Sequence, residues 1–282
     1  MIPISNVLAC IVTLCISLIL PLAFWIVYGI KNKGQGIWSA WLLGAAGFVV
    51  TQVLIRLPIL TALSQTDGFL TFSQSHPVLY GFSLAFTAGL FELAGRYAVA
   101  KIMQKKLTYR RALAAGLGHG GIEAILITGI AYVSNLVFLV MIQTGGFDAT
   151  LAQTTAAGGD VSQLLAARDA LANTSWVLFL LAGFERLLAM TCHAAMSMTV
   201  CYAVHTGRTL PGVLVCLGIH TCVDFVATIS LFIGKGLTLA TAYTIIYILL
   251  IALTVLSILI LRNIRHRWAA ESAQEVSYDS QV

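Results

Sequence analysis

Apolar runs long enough to cross a bilayer recur from one end of this 282-residue chain to the other. A spanning helix needs about 20 consecutive, mostly apolar residues. Windows of that kind lie near residues 6–30, 37–60, 77–101, 112–143, 175–205, 211–233 and 238–262. In lipid every backbone N–H and C=O must be satisfied within the segment, so such runs fold as helices. The expected fold is therefore all-α, a polytopic transmembrane helix bundle of about seven spans. Charged residues make up only 10% of the chain, against roughly 25% in soluble proteins, which leaves no room for a large soluble domain. Residues 1–268 read as a single integral membrane domain and 269–282 as a short, polar, disordered cytoplasmic tail. The fourth window is longer than one crossing requires, and Gly129 or the Ser134–Asn135 pair is where a break is expected. The long 144–174 connection is expected to hold a short amphipathic helix over Val161 to Ala172.

Orientation follows from the cations. The MIPISN start has no basic residue and its apolar run is too long for a cleavable signal, so the first span is retained, with its N-terminus outside. Alternating the loops from there puts Lys31, Lys33, Lys101, Lys105, Lys106, Arg110, Arg111, Arg208, Arg262, Arg265 and Arg267 inside and leaves Arg168 and Lys235 outside. That asymmetry predicts N-terminus out, C-terminus in, and residence in the cell membrane. The net charge of +5 is then accounted for by loops facing an anionic leaflet, and nucleic acid is excluded as a partner. The six cysteines lie in apolar spans without a Cys-x-x-Cys pair, so they read as small apolar fillers.

Within the spans lie Arg56, Glu92, Arg96, His119, Glu123, Glu185, Arg186, His193, His220 and Asp224. At about 3 kcal/mol per charge at a helix centre, the formal charges among them would cost roughly 20 kcal/mol facing lipid. They must face a shared interior. Glu92/Arg96, His119/Glu123 and His220/Asp224 are each i,i+4 and so share a helix face. His193 lies on the fifth span with Ser197 close to the same side. Depths counted at about 1.5 Å per residue place most of these groups between the cytoplasmic ends and the midplane. Gly95, Gly116, Gly118, Gly120 and Gly121 remove bulk where the polar helices would meet. Arg56 is expected to be a helix-to-helix tether. Glu185 and Arg186 are adjacent and should not face each other, so each is expected to find a partner elsewhere.

Peptide hydrolysis in a bilayer requires an activated water, a base, oxyanion donors and an acid for the leaving amine. Glutamates and histidines supply these parts. The sequence has no His-Glu-x-x-His, Gly-x-Ser-Gly or Gly-x-Gly-Asp motif, so zinc-protease, serine and aspartyl arrangements of those kinds are not expected. A metal site from His119, Glu123, His193 and His220 fits the preferences of a divalent ion such as zinc.

The strings FELAGRY (91–97), GLGHGGIEAI (116–125), FERLLAMTCHAAMS (184–197) and GIHTCVDF (218–225) resemble the four motifs of the YhfC family of predicted intramembrane proteases, related to the PrsW and CAAX-processing peptidases of glutamic or metal type. The resemblance covers residues 91–225, inside a motif-bearing core of 77–233. It implies that Glu92 activates water, Arg96 orients it, and Glu123 supplies a second carboxylate. It also implies that His193 and His220 stabilise the oxyanion or bind metal while Asp224 holds His220. The wider superfamily commonly has two adjacent glutamates in its first motif, whereas Phe91 precedes Glu92 here. The expected activity is an intramembrane endopeptidase of glutamic type, needing no cofactor, with a metal-dependent type as the variant. Its substrate would be a membrane protein or membrane-inserted peptide in the lipid bilayer. A proton- or cation-coupled transporter and a non-catalytic scaffold of protease-like fold are the alternatives.

Overall fold

The structure is a computed structural model that describes residues 3–279, with side chains through Glu271. The chain order is α1 (Ile4–Lys31), α2 (Ile37–Leu63), α3 (Asp67–Ser75), α4 (Pro77–Lys106), α5 (Tyr109–Thr144), α6 (Gly146–Ala156), α7 (Ser162–Asn173), α8 (Trp176–His205), α9 (Thr209–Phe232) and α10 (Leu239–Asp279). Seven of these, α1, α2, α4, α5, α8, α9 and α10, are long and apolar enough to cross a membrane, and no strand occurs among the described residues.

The fourth span does not break. It carries a π-helical stretch over Ala124–Gly129 that ends at the suspected glycine. The 144–174 connection holds the expected helix as α7, and also α6, which begins directly after left-handed Gly145 (φ +78°). Asp160 starts α7 by accepting the Ser162 N–H at 2.8 Å. The last helix does not stop at Trp268 but continues through Asp279. Its Ala-, Glu- and Gln-bearing sequence contains no Pro or Gly to end it.

The chain divides into two compact units. One comprises the segment ending at Ala23 with Glu123–Leu187; the other comprises Phe24–Ile122 and the chain from Leu188 onward. In the first, buried polar side chains fasten α1 to the start of α8. Asn6 donates to the Thr174 carbonyl at 2.8 Å and Thr13 to the Phe179 carbonyl at 2.6 Å. A Cβ on Gly183 would lie 2.8 Å from the Thr13 hydroxyl, so glycine there permits the approach.

The second unit is organised around α8. From Ala189 to Val204 that helix is buried on nearly every side, the signature of a core helix rather than of one edging the lipid. Its apolar cluster draws Leu93 and Val99 from α4, Ala112 and Ala115 from α5, Met196 and Val200 from α8, and Cys216 and Ile219 from α9. Glycine controls how closely α2 and α5 pack: a Cβ on Gly44 would meet the Ala115 carbonyl oxygen at 1.9 Å, and one on Gly118 the Trp41 carbonyl oxygen at 2.0 Å. Gly95, Gly116 and Gly120 likewise sit against backbone or Cβ atoms of Gly47, Ala194 and His193. Large apolar side chains such as Leu54, Ile102, Leu214 and Ile248 are left exposed, as surfaces facing acyl chains require.

Candidate active site

Five helices of the second unit each send polar side chains inward. Gln52 and Arg56 come from α2, Glu92 and Arg96 from α4, His119 from α5, His193 from α8, and His220 with Asp224 from α9. Glu92 is the hub, 2% exposed. Its Oε2 lies 3.1 Å from Arg96 Nη2, 2.9 Å from His119 Nε2 and 2.8 Å from His220 Nε2, while Oε1 accepts the Gln52 amide at 3.1 Å. Arginine and a side-chain NH2 can only donate, so both oxygens act as acceptors. An ionised Glu92 then requires His119 and His220 to present Nε2–H. Such a carboxylate is held by charge-assisted bonds from four directions.

The hydrogen-bond chemistry also fixes His193. Its Nδ1 lies 2.6 Å from Arg96 Nη2, and a guanidinium has no lone pair to offer, so Nδ1 accepts and a neutral ring carries its proton on Nε2. This explains why His193 Nδ1 and Glu92 Oε2 stand 3.8 Å apart: they are two acceptors sharing one guanidinium rather than an ion pair. His220 Nδ1 lies 3.4 Å from Asp224 Oδ2 without hydrogen-bond alignment. Asp224 is 37% exposed, so His220 stands between the buried carboxylate and an accessible one.

Arg96 retains capacity for more. Its Nε and Nη1 are shielded from solvent and make no hydrogen bond, and a buried donor left that way costs about 1–3 kcal/mol. A ligand oxygen presented to those N–H groups would recover that cost.

Glu92, His119 and His193 each offer one ligand atom, these atoms lie within 4.8 Å of one another, and they are of the types that could hold a metal ion. The fit can be tested on Arg96. Zinc bonds to such ligands at about 2.1 Å. With Oε2 and Nδ1 separated by 3.8 Å, and Nη2 at 3.1 Å and 2.6 Å from them, an ion bonded to both would lie no more than about 3 Å from Nη2. A divalent ion and a guanidinium at that distance repel by about 11 kcal/mol at an effective dielectric constant of about 20. In this position the guanidinium therefore opposes a divalent ion bonded to both Oε2 and Nδ1.

The remaining sequence-derived residues are placed as follows. Arg56 is a tether, as expected, donating from Nη2 to the Leu84 carbonyl on α4 at 2.7 Å. It also donates to Gln52 Oε1 at 3.3 Å, which joins it to the hub. Gln52 escaped sequence reasoning because it carries no charge. Its one signal is the i,i+4 relation to Arg56 inside a π-helical stretch, Val49–Arg56, a feature that recurs at functional sites. Glu123 belongs to the first unit, where Arg186 donates to it at 3.2 Å. Arg186 also pairs with its neighbour Glu185 through Nε and Nη2. The expectation that adjacent residues would not meet is corrected: the long arginine side chain turns back and engages both carboxylate oxygens as a fork.

The YhfC intramembrane metalloprotease family model matches residues 16–248 of this chain. A curated relative, the uncharacterized membrane protein YhfC of Bacillus subtilis (strain 168), is 32% identical over 197 residues, covering 69% of this chain and 74% of the relative. No solved structure matches. With seven apolar helices and a membrane-protein relative, the chain is a multi-pass integral membrane protein.

Proposed function

Because the chain belongs to the YhfC intramembrane metalloprotease family, we propose that it hydrolyses peptide bonds of membrane proteins or membrane-inserted peptides, and that the reaction runs on Glu92 and Arg96 as a glutamic-type peptidase. The observation that carries this reading is the convergence of Arg96, His119 and His220 on a single buried carboxylate oxygen, beside unused Arg96 donors.

In the proposed mechanism a water bound against Arg96 loses a proton to Glu92 as its oxygen attacks the scissile carbonyl carbon. The carbonyl oxygen becomes an oxyanion, met by N–H donors of Arg96 and by His193 Nε2–H. Preorganised donors of this kind, in a water-poor site, are worth roughly 3–4 kcal/mol each. Collapse of the intermediate breaks the C–N bond, and the proton held by Glu92 passes to the departing amine. Atoms balance without a second carboxylate, so Glu123, paired with Arg186, takes a structural role in this scheme. His220 stands between Glu92 and the partly exposed Asp224, and is the group through which a proton would leave the site. The family description names a metal, and the donors that would hold one are Glu92, His119 and His193. The Arg96 geometry favours chemistry in which the guanidinium replaces it.

The test is cleavage of candidate membrane substrates by the purified protein in lipid, comparing wild type with Glu92→Gln, His193→Ala and His220→Ala. Loss of the base is expected to lower turnover by about 10²–10⁴-fold. Cleavage that survives Glu92→Gln would show that the assigned base is wrong.

A further inference from the structure

The basic residues near the span ends have a general explanation in topology, yet some of them are built into a cavity that topology does not require. A cavity of about 840 Å³ lies in the second unit, lined by Lys106, Arg110, Arg111 and Arg265, with Tyr109 and Trp268 among its walls. It stands at the ends of three candidate spans, where α4 ends at Lys106, α5 begins at Tyr109 and α8 ends at His205, and span ends are where lipid headgroups lie. Among the described residues, Glu271 is the one acid lining it. That carboxylate is engaged, accepting from the Tyr202 hydroxyl at 2.7 Å and lying 3.5 Å from His205 Nε2.

Arg111 is the residue that sets this cavity apart from a solvated basic loop. It is half-buried, and its Nε is shielded and makes no hydrogen bond. Gly36 has φ +71°, and a Cβ there would lie 2.8 Å from Arg111 Nη1. Its backbone conformation therefore calls for glycine, and the end of the Arg111 side chain lies close beside it. Arg110 is held by Gln35, to which Nη1 donates at 2.9 Å. Thr108 accepts the Arg111 backbone N–H at 3.3 Å and so opens α5, whose positive end adds to the same field. Trp268 stacks on His205 with centroids 4.8 Å apart and meets Tyr109 edge-on at 6.3 Å, giving the cavity the aromatic wall typical of a membrane interface.

We propose that this cavity binds the phosphate group of an anionic phospholipid headgroup. Arginine forks match phosphate oxygens in geometry as well as charge. The position at the span ends presents the site to headgroups rather than to dilute soluble anions. The site is separate from the Glu92 cluster, and its existence does not depend on the protease reading.

The full-length protein, in an uncharged detergent, is titrated with short-chain phosphatidylglycerol, with phosphatidylcholine of the same chain length and with inorganic phosphate, and binding is followed by thermophoresis. Saturable binding of phosphatidylglycerol is expected, with phosphatidylcholine weaker by about tenfold or more. Arg111→Gln and Arg265→Gln should each weaken phosphatidylglycerol by about tenfold. Arg265 is exposed and outside the packed core, so its variant tests the cavity without perturbing packing, and thermal melting of both variants checks the folded state. Arg262→Gln, on the same helix but outside the lining, should change the affinity less than about threefold. Equal loss in Arg262→Gln, or no loss in the two lining variants, would reduce the effect to general surface charge and overturn the proposal. Inorganic phosphate bound in preference to phosphatidylglycerol would assign the cavity to a soluble anion and overturn the lipid assignment.

Discussion

Replacing Arg96 with methionine separates the two chemistries that this site could run. The side chain is 1% exposed and touches Glu92 Oε2 at 3.1 Å and His193 Nδ1 at 2.6 Å. Methionine has similar reach but no donor and no charge. Breaking a buried ion pair by removing one partner costs about 3–5 kcal/mol. Glu92 keeps Gln52, His119 and His220, so the lower end, about 3 kcal/mol, is expected. At about 2–4 °C per kcal/mol for a chain of this size, the melting temperature should fall by roughly 6–12 °C. Cleavage should fall at least about 100-fold, because both the water-orienting and the oxyanion-stabilising donors are removed. The same substitution vacates the cation's place. Purified Arg96→Met should then bind about one equivalent of zinc through Glu92, His119 and His193, whereas wild type should bind none at matched concentration. Elemental analysis and a chelator titration of activity are the measurements. Wild-type protein that carries stoichiometric zinc, loses activity to a chelator and regains it with zinc would refute the reasoning that Arg96 takes the metal's role.

The other predictions concern residues around that centre. Gln52→Leu removes the donor to Glu92 Oε1 and the acceptor for Arg56; kcat should drop about tenfold with KM unchanged, at a stability cost of about 1–3 kcal/mol, and an altered KM alone would argue for a role in substrate binding. Glu123→Gln weakens the pairing with Arg186 and should lower thermal stability by about 1–3 kcal/mol while cleavage persists; complete loss of cleavage in a folded variant would restore Glu123 as a second catalytic carboxylate. Gly118→Ala forces a methyl to within 2.0 Å of the Trp41 carbonyl oxygen, whereas Gly218→Ala meets nothing within 4 Å. The first should destabilise by about 3 kcal/mol or more and the second should be neutral or gain up to about 1 kcal/mol, as read from thermal melts.

The spans were legible because the hydrocarbon core imposes both length and composition, and the seven helices match the apolar windows to within a few residues at most ends. The site was legible wherever residues carried charge at i,i+4 spacing. Glu92 with Arg96 and His220 with Asp224 do share helix faces and do meet. His119 and Glu123 share a face by the same rule, yet His119 bonds to Glu92 while Glu123 pairs with Arg186. Four residues also separate them by about 6 Å along the helix axis, and periodicity reports the face without reporting which neighbour waits at each height. Gln52 was illegible for a different reason. A neutral amide in an apolar run costs far less than a charge, so nothing in its immediate sequence demanded a partner, and only the fold brings it to Glu92. Helix α6 was missed because its Thr- and Ala-bearing segment lacks the apolar repeat that reveals a packed helix.

Charge balance is a second argument for the proposed glutamic-type chemistry at the centre. The formally charged side chains joined by these contacts are Arg56 and Arg96 on one side and Glu92 and Asp224 on the other. With neutral imidazoles they sum to zero. A neutral cluster avoids most of the penalty for net charge in a low-dielectric interior. Adding a divalent ion to the same set would leave two uncompensated positive charges, and the ion could enter only by displacing Arg96 from two of its acceptors. A peptide carbonyl brings no net charge on binding and becomes an oxyanion only in the transition state. In the proposed reaction that negative charge would develop against donors of Arg96 whose hydrogen bonds are not otherwise used. The resting site is thus balanced for stability and becomes more favourable as the reaction charge appears, which is the differential stabilisation that catalysis requires.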